Sequence, residues 1–151
     1  MNTNIVKAKA LSIWIFFIPF IAVNICLYIT TNLHFLIDQP YRLFNTFPYF
    51  DGGTSISRTA RYYPNYLIFK PAMFITSYLL IKYWLLNKEI INSFEKDHKY
   101  IKKFVFFGIA SAISLILHSI FLGISFDIDL YKLFRRVVML SFIIFEVVAQ
   151  T

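Results

Sequence analysis

The stretch LSIWIFFIPFIAVNICLYITT, residues 11–31, decides the fold of this chain. It carries no charge, and as an α-helix it would be about 30 Å long, which matches the hydrocarbon core of a bilayer. Lys7 and Lys9 precede it, as basic residues also precede the apolar part of a signal peptide. The run is longer than that part usually is, and no small-residue cleavage motif follows. We therefore predict a retained transmembrane helix.

The composition of the whole chain favours a membrane protein. Of the 151 residues, 58% are hydrophobic, 20% are aromatic and only 15% are charged. Soluble domains carry about 25% charged residues, so a soluble enzyme is nearly excluded, as is a disordered chain. The single cysteine, Cys26, cannot form a disulfide within the chain and belongs to no metal-binding motif. The sequence thus predicts neither a cofactor nor a metal.

Charge and hydropathy together predict a polytopic bundle. The chain has 15 Lys and Arg against 8 Asp and Glu, a net charge of +7, but no nucleic-acid-binding motif, so we expect no nucleic-acid partner. We predict one all-α membrane domain over residues 1–151. Its four spans lie at about residues 11–31, 66–86, 104–125 and 133–150. The last run is short for a span, so either the helix is short or the chain stops before a longer module is complete.

The distribution of basic residues predicts the orientation. The N-terminus and residues 87–103 carry the densest basic charge, which is typical of cytoplasmic segments. Residues 32–64 would then form a loop on the extracellular or lumenal side. Its aromatic and polar mixture is typical of a segment at the membrane surface.

This loop contains a candidate site for an anionic group. The hydroxyls of Ser55 and Ser57 lie beside Arg58, and Arg61 follows one turn later. The guanidinium fork fits phosphate oxygens, so these residues, with Lys70, are candidates to bind a phosphate or a phospholipid head group. The alternative is a polar turn whose hydroxyls cap the next helix and whose arginines lie among head groups.

The same loop resembles a known family. Ser-Ile-Ser at 55–57, then Pro64, then Ile-Phe-Lys at 68–70 at the head of a span resembles the Frag/DRAM/Sfk family. Members have five or six spans and include lipid-remodelling factors of GPI anchors. The resemblance implies a multi-pass protein of lipid biology and no defined catalytic residues. Four positions match the motif: Ser55, Ser57, Pro64 and Lys70.

One polar residue in each predicted span forms a second candidate site: Asn24, Lys70, His118 and Glu146. Helical rise places each of them about 6–14 Å below the outer end of its span. Ionisable groups in a membrane face the bundle interior and pair, so we predict that Glu146 pairs with His118 or Lys70. His118 would suit a proton carrier. Alternatively, these groups satisfy one another structurally, and His118 continues a close-packing stripe of Gly108, Ser111 and Ser114.

The favoured function is binding or remodelling of lipid head groups on the outer or lumenal leaflet, with membrane lipids as the partners. If the protein is an enzyme, His118 is the candidate general base and Arg58 or Arg61 the phosphate clamp. One alternative is a non-catalytic scaffold or subunit that packs against a helical membrane partner or a second copy. Another is a solute or proton carrier with a water path near His118 and Glu146.

Overall fold

A computed structural model describes residues 3–33, 48–52, 55–94, 100–124 and 129–151. All regular structure in these ranges is helical, and no strand occurs in them, which confirms the all-α prediction. The four long helices are α1 (Thr3–Asn32), α4 (Asn65–Phe94), α5 (Ile101–Phe121) and α6 (Asp129–Gln150). Two four-residue helices, α2 (Pro48–Asp51) and α3 (Ile56–Thr59), lie between α1 and α4.

The long helices extend beyond the predicted spans at several ends. α1 already begins at Thr3 and takes in Lys7 and Lys9, and α4 runs on to Phe94 through Lys88 and Glu89. Lys and Glu are good helix formers, so the helix continues where the apolar run stops. Hydropathy therefore located the four helices but not their ends.

Two of the four long helices, α1 and α5, are long and apolar enough to cross a membrane. They correspond to the first and third predicted spans. α4 and α6 have 30 and 22 residues but are less apolar, since Lys70 and Lys82 lie within α4 and Arg135 and Glu146 within α6. The chain is thus an all-helical protein with two candidate membrane-spanning helices, and four spans remain a prediction.

Neighbouring long helices pack antiparallel, and the main contacts follow chain order from α1 to α4, α5 and α6. At one end of the α1–α4 pair, the Asn4 amide donates to the Glu89 carboxylate (3.1 Å). At the other end, the Asn65 amide donates to the Cys26 carbonyl (3.2 Å). The ring of Trp84 meets that of Phe104 between α4 and α5. The connections from α4 to α5 and from α5 to α6 are short, which favours an up-and-down arrangement of these three helices.

The core consists of two clusters of buried side chains along the bundle. The first is Cys26, Ala60, Phe69, Met73, Leu115 and Leu122, and the second is Leu80, Trp84, Ala112 and Ala149. Phe142 of α6 packs against both clusters, so α6 joins them into one core.

Gly108 explains how closely α4 and α5 approach. A Cβ atom at this position would overlap the Trp84 indole ring, which is itself only 4% exposed. Ser111 and Ala112, one turn further along α5, are completely buried. Small residues allow helix backbones to come close in this way. The stripe predicted from Gly108, Ser111 and Ser114 as a close-packing face is therefore a helix contact.

Large apolar side chains cover the outside of the bundle. On α1, Trp14 and Phe16 are 58% and 61% exposed, and on α5 Phe106 is 67% exposed. α6 also presents a broad apolar surface, since only Val138 and Ala149 of this helix are buried. Soluble monomers rarely expose so much contiguous apolar surface.

Candidate functional site

One end of the bundle, which we call the α3 end, brings together the end of α1, all of α3, the start of α4 and the turn after α5. Asn65 lies at its centre and is completely buried. Its Nδ2 lies within hydrogen-bond distance of the Thr30 hydroxyl (2.8 Å) and of the carbonyls of Thr59 (2.9 Å) and Cys26 (3.2 Å). One amide thus ties α1, α3 and α4 together. Sequence analysis did not single out Asn65. An amide at the head of an apolar run indicates a buried hydrogen-bonding residue, and this pattern could have identified it.

α3 is held against this centre by its last residues. Thr59 and the following Ala60 are buried, and the Thr59 hydroxyl donates to the Ile56 carbonyl (2.8 Å). Ser55 is the N-cap residue, and its backbone carbonyl accepts from the amides of Arg58 and Thr59. Its side chain does not cap the helix, so the alternative that its hydroxyl serves as a cap is wrong for Ser55.

Of the five loop residues predicted to bind a head group, Ser55 and Arg58 are exposed at the α3 end, and Arg61 and Lys70 are half-buried there. The side chain of Ser57 lies outside the part of the chain that the structure describes. So do residues 34–47 of the predicted loop. The exposed pair is accessible from the surroundings, whereas Arg61 turns inward.

The position of Arg61 depends on Gly123. Gly123 has a φ of +90°, a conformation that side chains other than glycine rarely adopt, and a Cβ there would lie 3.4 Å from the Arg61 carbonyl oxygen. The turn after α5 therefore packs directly on the Arg61 backbone. This contact brings the start of α6 to the same end as α3.

Arg61, His118 and Arg135 form what we call the basic cluster. Arg135, on the second turn of α6, lies within electrostatic reach of both Arg61 and His118. The Nε atoms of both arginines and the Nδ1 atom of His118 are buried and have no hydrogen-bond partner. Sequence analysis named Arg61 and His118 but missed Arg135. The sequence feature that could have identified Arg135 is the pair of adjacent arginines, 135 and 136, at the head of the last apolar run.

The surroundings of the basic cluster are aromatic and apolar. The Arg135 guanidinium lies 6.0 Å from the centre of the Tyr131 ring, and the Tyr131 hydroxyl donates to the Phe121 carbonyl (2.9 Å). His118 is 8% exposed and lines a cavity of about 170 Å³. The other lining residues are apolar: Val23, Ile56, Phe69, Met73, Leu115, Met139 and Phe142. His118 therefore lies between an apolar cavity and Arg135.

Glu146 does not pair with His118 or Lys70, as the sequence had led us to expect. Its carboxylate accepts hydrogen bonds from the Ser111 hydroxyl (2.6 Å) and the Gln150 amide (3.0 Å). Ser111 lies two helical turns before His118 on α5, so the Glu146 carboxylate meets this helix at a different level. Along α5, the level of Ser111 is about 10 Å from that of His118.

The other polar residues of the predicted intramembrane cluster also have separate partners. Lys70 Nζ lies 3.5 Å from the Ile120 carbonyl, at the end of α5 where carbonyls lack helical partners, and 5.9 Å from the centre of the Tyr66 ring. Asn24 donates to the Phe20 carbonyl (2.7 Å) and accepts from the Tyr49 hydroxyl (2.8 Å). The structure thus divides the four residues among different sites.

Within the described ranges, no group of three or more His, Cys, Asp or Glu side chains is placed to hold a metal ion. Comparisons with family models, with curated proteins and with solved structures found no match for this chain.

Proposed function

We propose that this protein is a multi-pass membrane protein that binds anionic lipid head groups at the α3 end. The exposed apolar surface supports the membrane part of this proposal. Trp14, Phe16 and Phe106 project away from the core, and such side chains are stable when they face lipid. In the proposal all four long helices span the bilayer, so α4 and α6 join the two candidate spans.

The charged residues within α4 and α6 are compatible with spanning helices. Lys70 reaches the carbonyl end of α5, and Lys82 Nζ lies 4.6 Å from the centre of the Tyr78 ring. Glu146 is paired with Ser111 inside the helix contact. Polar groups in a membrane are retained where they face the bundle and have partners, or where long side chains reach the interface.

Unpaired positive charge at the α3 end is the observation that carries the head-group proposal. Arg58 is exposed there, three residues before the half-buried Arg61. Among the described residues the ion pair found is Lys132 with Asp129, so neither arginine is neutralised by a carboxylate within this part of the chain. Arginine binds phosphate oxygens with two parallel hydrogen bonds, and anionic lipids supply such oxygens. The resemblance to the Frag/DRAM/Sfk motif, whose positions Ser55, Ser57 and Pro64 flank these arginines, supports a role in lipid binding or remodelling.

The orientation in this proposal follows the lysines of the opposite end. Lys7, Lys9, Lys102 and Lys103 lie where α1 begins and α5 begins, which favours the cytoplasm for that end and for the N-terminus. The α3 end would then face the outer or lumenal leaflet.

Lipid binding by the purified protein tests the proposal. We expect phosphatidylglycerol to bind more tightly than phosphatidylcholine, as measured by native mass spectrometry, and added salt to weaken this binding. Arg58→Ala combined with Arg61→Ala should reduce phosphatidylglycerol binding about tenfold, because two charge-assisted contacts are lost.

The matched control is Lys102→Ala with Lys103→Ala, which removes two exposed charges at the opposite end. We expect it to bind lipid like the wild type. Equal lipid binding by wild type and the arginine variant, with the helical circular dichroism of both unchanged, would refute the role of the loop.

A second candidate function is that of a scaffold or subunit in a larger membrane complex, and it rests on α6. Leu133, Leu140 and Ile144 on this helix are 55%, 55% and 54% exposed, which leaves an apolar face that a helical partner or a second copy could cover. Mass measurement of the detergent-solubilised protein would favour this candidate if it gave a dimer that Leu140→Ser with Ile144→Ser abolishes.

A further inference from the structure

A groove between α1 and α4 lies near the end of the bundle opposite the α3 end, and its volume is about 510 Å³. Each helix contributes one stripe of side chains to it: Lys7, Leu11 and Trp14 on α1, and Lys82, Leu85 and Glu89 on α4. Residues three, four and seven positions apart lie on one face of a helix, so each stripe forms one wall of the groove.

The walls of the groove are apolar and reach the outside of the bundle. Trp14 and Leu85 are 58% and 43% exposed, and Leu11 is half-buried. Exposed side chains of this kind are stable against lipid chains, and a Trp ring is typical of the membrane–water interface. A molecule that fills the groove therefore needs an apolar part that extends into the bilayer.

Three charged side chains line the groove in a defined order. The Asn4 amide donates to the Glu89 carboxylate (3.1 Å), which fixes the register of the antiparallel α1 and α4 at this end. At 1.5 Å per residue from this contact, Lys7 lies about 4.5 Å and Lys82 about 10.5 Å closer to the middle of the bundle. The order from the end of the bundle inward is therefore one carboxylate and then two ammonium groups.

The two lysines retain hydrogen-bond donors for a ligand. Among the described residues the ion pair found is Lys132 with Asp129, so no carboxylate in this part of the chain neutralises Lys7 or Lys82. Lys82 Nζ lies 4.6 Å from the centre of the Tyr78 ring, and a ring face attracts a cation without using up its three N–H donors. An anionic group beside both lysines would gain charge-assisted hydrogen bonds.

This order of charges is complementary to the head group of phosphatidylethanolamine. In that lipid the acyl chains lie innermost, the phosphate lies at the interface and a protonated primary amine lies outermost. The amine can donate to Glu89, because a carboxylate has acceptor sites beyond the one that Asn4 uses. Phosphatidylcholine carries the same charges, but its methylated amine has no N–H donor. Phosphatidylglycerol has no cation to place beside Glu89.

We propose that the groove between α1 and α4 binds one phosphatidylethanolamine molecule. Its phosphate lies between Lys7 and Lys82, its ammonium donates to Glu89, and an acyl chain runs along Leu11 and Trp14. This inference rests on the membrane insertion and the orientation in the proposed function, and it adds a second lipid site in the cytoplasmic leaflet. The site shares no residue with the α3 end.

The experiment compares two pairs of lysines on the same two helices. Lys7→Gln with Lys82→Gln removes the lysines of the groove, whereas Lys9→Gln with Lys88→Gln removes two exposed lysines that do not line it. Each full-length protein is reconstituted into nanodiscs with equal parts of phosphatidylethanolamine, phosphatidylcholine and phosphatidylglycerol. The lipids that stay bound after transfer to detergent are identified by native mass spectrometry.

We expect the wild type to retain phosphatidylethanolamine over phosphatidylcholine. Lys7→Gln with Lys82→Gln should lower this retention about tenfold, and the Lys9 and Lys88 pair should change it less than about twofold. Glu89→Gln keeps an acceptor for Asn4 but removes the negative charge, so phosphatidylethanolamine should fall to the level of phosphatidylcholine. Equal losses in the two lysine pairs would mean that surface charge alone holds the lipid, which would overturn the groove site.

The outcomes separate the two proposals. If the wild type selects phosphatidylglycerol but retains phosphatidylethanolamine no better than phosphatidylcholine, the groove site is refuted and the proposed function stands. If phosphatidylethanolamine is selected through Lys7 and Lys82 but phosphatidylglycerol is not selected, the head-group site at the α3 end fails and the groove site stands. Should the Lys7 and Lys82 variant not fold, unchanged selectivity in Glu89→Gln would by itself overturn the proposal.

Discussion

Two regions, the α3 end and the Trp84 layer, are stabilised in different ways. The Trp84 layer consists of Leu80, Trp84, Gly108 and Ala112. At the α3 end, Asn65 joins three segments by hydrogen bonds, and three buried donors of the basic cluster have no partner. In the Trp84 layer, shape dominates, since the indole ring fills the space that Gly108 leaves open. The indole N–H of Trp84 is the unpaired buried atom there. The difference shows that the Trp84 layer depends on close packing, whereas the α3 end depends on the hydrogen bonds of one buried amide.

The largest effect should come from Gly108→Leu, which tests whether the Trp84 layer depends on shape. The new side chain would overlap the Trp84 ring, and we expect a loss of about 3 kcal/mol in the free energy of unfolding. Unfolding of the purified protein in detergent, followed by circular dichroism, measures it. Combining Gly108→Leu with Trp84→Ala should recover part of this loss, since the two changes are complementary in volume.

Ile113→Ala is the control for this layer, because Ile113 lies on the same helix and is 49% exposed. It should cost clearly less than Gly108→Leu. If Gly108→Leu unfolds at the same denaturant concentration as the wild type, the close contact of α4 with α5 does not exist in solution.

Asn65→Ala tests the hydrogen-bonded centre of the α3 end. It leaves the carbonyl of Thr59 and the hydroxyl of Thr30 without the amide donor, so we expect a loss of about 1–3 kcal/mol. Asn32→Ala removes an exposed amide that donates to the Tyr28 carbonyl and should cost less than about 0.5 kcal/mol. Equal stabilities of the two variants would mean that Asn65 does not hold the α3 end together.

Glu146→Ala measures a polar contact that lies between the two regions. Loss of the carboxylate leaves the Ser111 hydroxyl without its acceptor on α6, and we expect a cost of about 1–2 kcal/mol. Glu89→Ala, which removes an exposed carboxylate that accepts from Asn4, should cost less than about 0.5 kcal/mol. Glu146→Gln should restore most of the stability because an acceptor remains. A larger loss in Glu89→Ala than in Glu146→Ala would contradict this ranking.

Two cysteine variants should change stability least. They are used to determine on which side of the membrane each end of the bundle lies. Ser55→Cys and Lys102→Cys place thiols at exposed positions of the two ends, whereas the native Cys26 is buried. In sealed vesicles an impermeant maleimide should label the two from opposite sides. Labelling of both from one side would contradict the four-span proposal.

The sequence by itself determined that the chain is helical and roughly where the four long helices lie, because long, predominantly apolar runs separated by polar and Pro- or Gly-containing segments favour helices. It also indicated the small-residue stripe that becomes the Trp84 layer. Only the tertiary structure decided the partners of the polar residues. Glu146 binds Ser111 because α6 packs against α5 in the register that places the two at one level, and a register between two helices cannot be read from either helix alone. Gly123 packs on the Arg61 carbonyl because the turn after α5 meets the segment after α3, and no local pattern specifies a contact between segments so far apart in the chain.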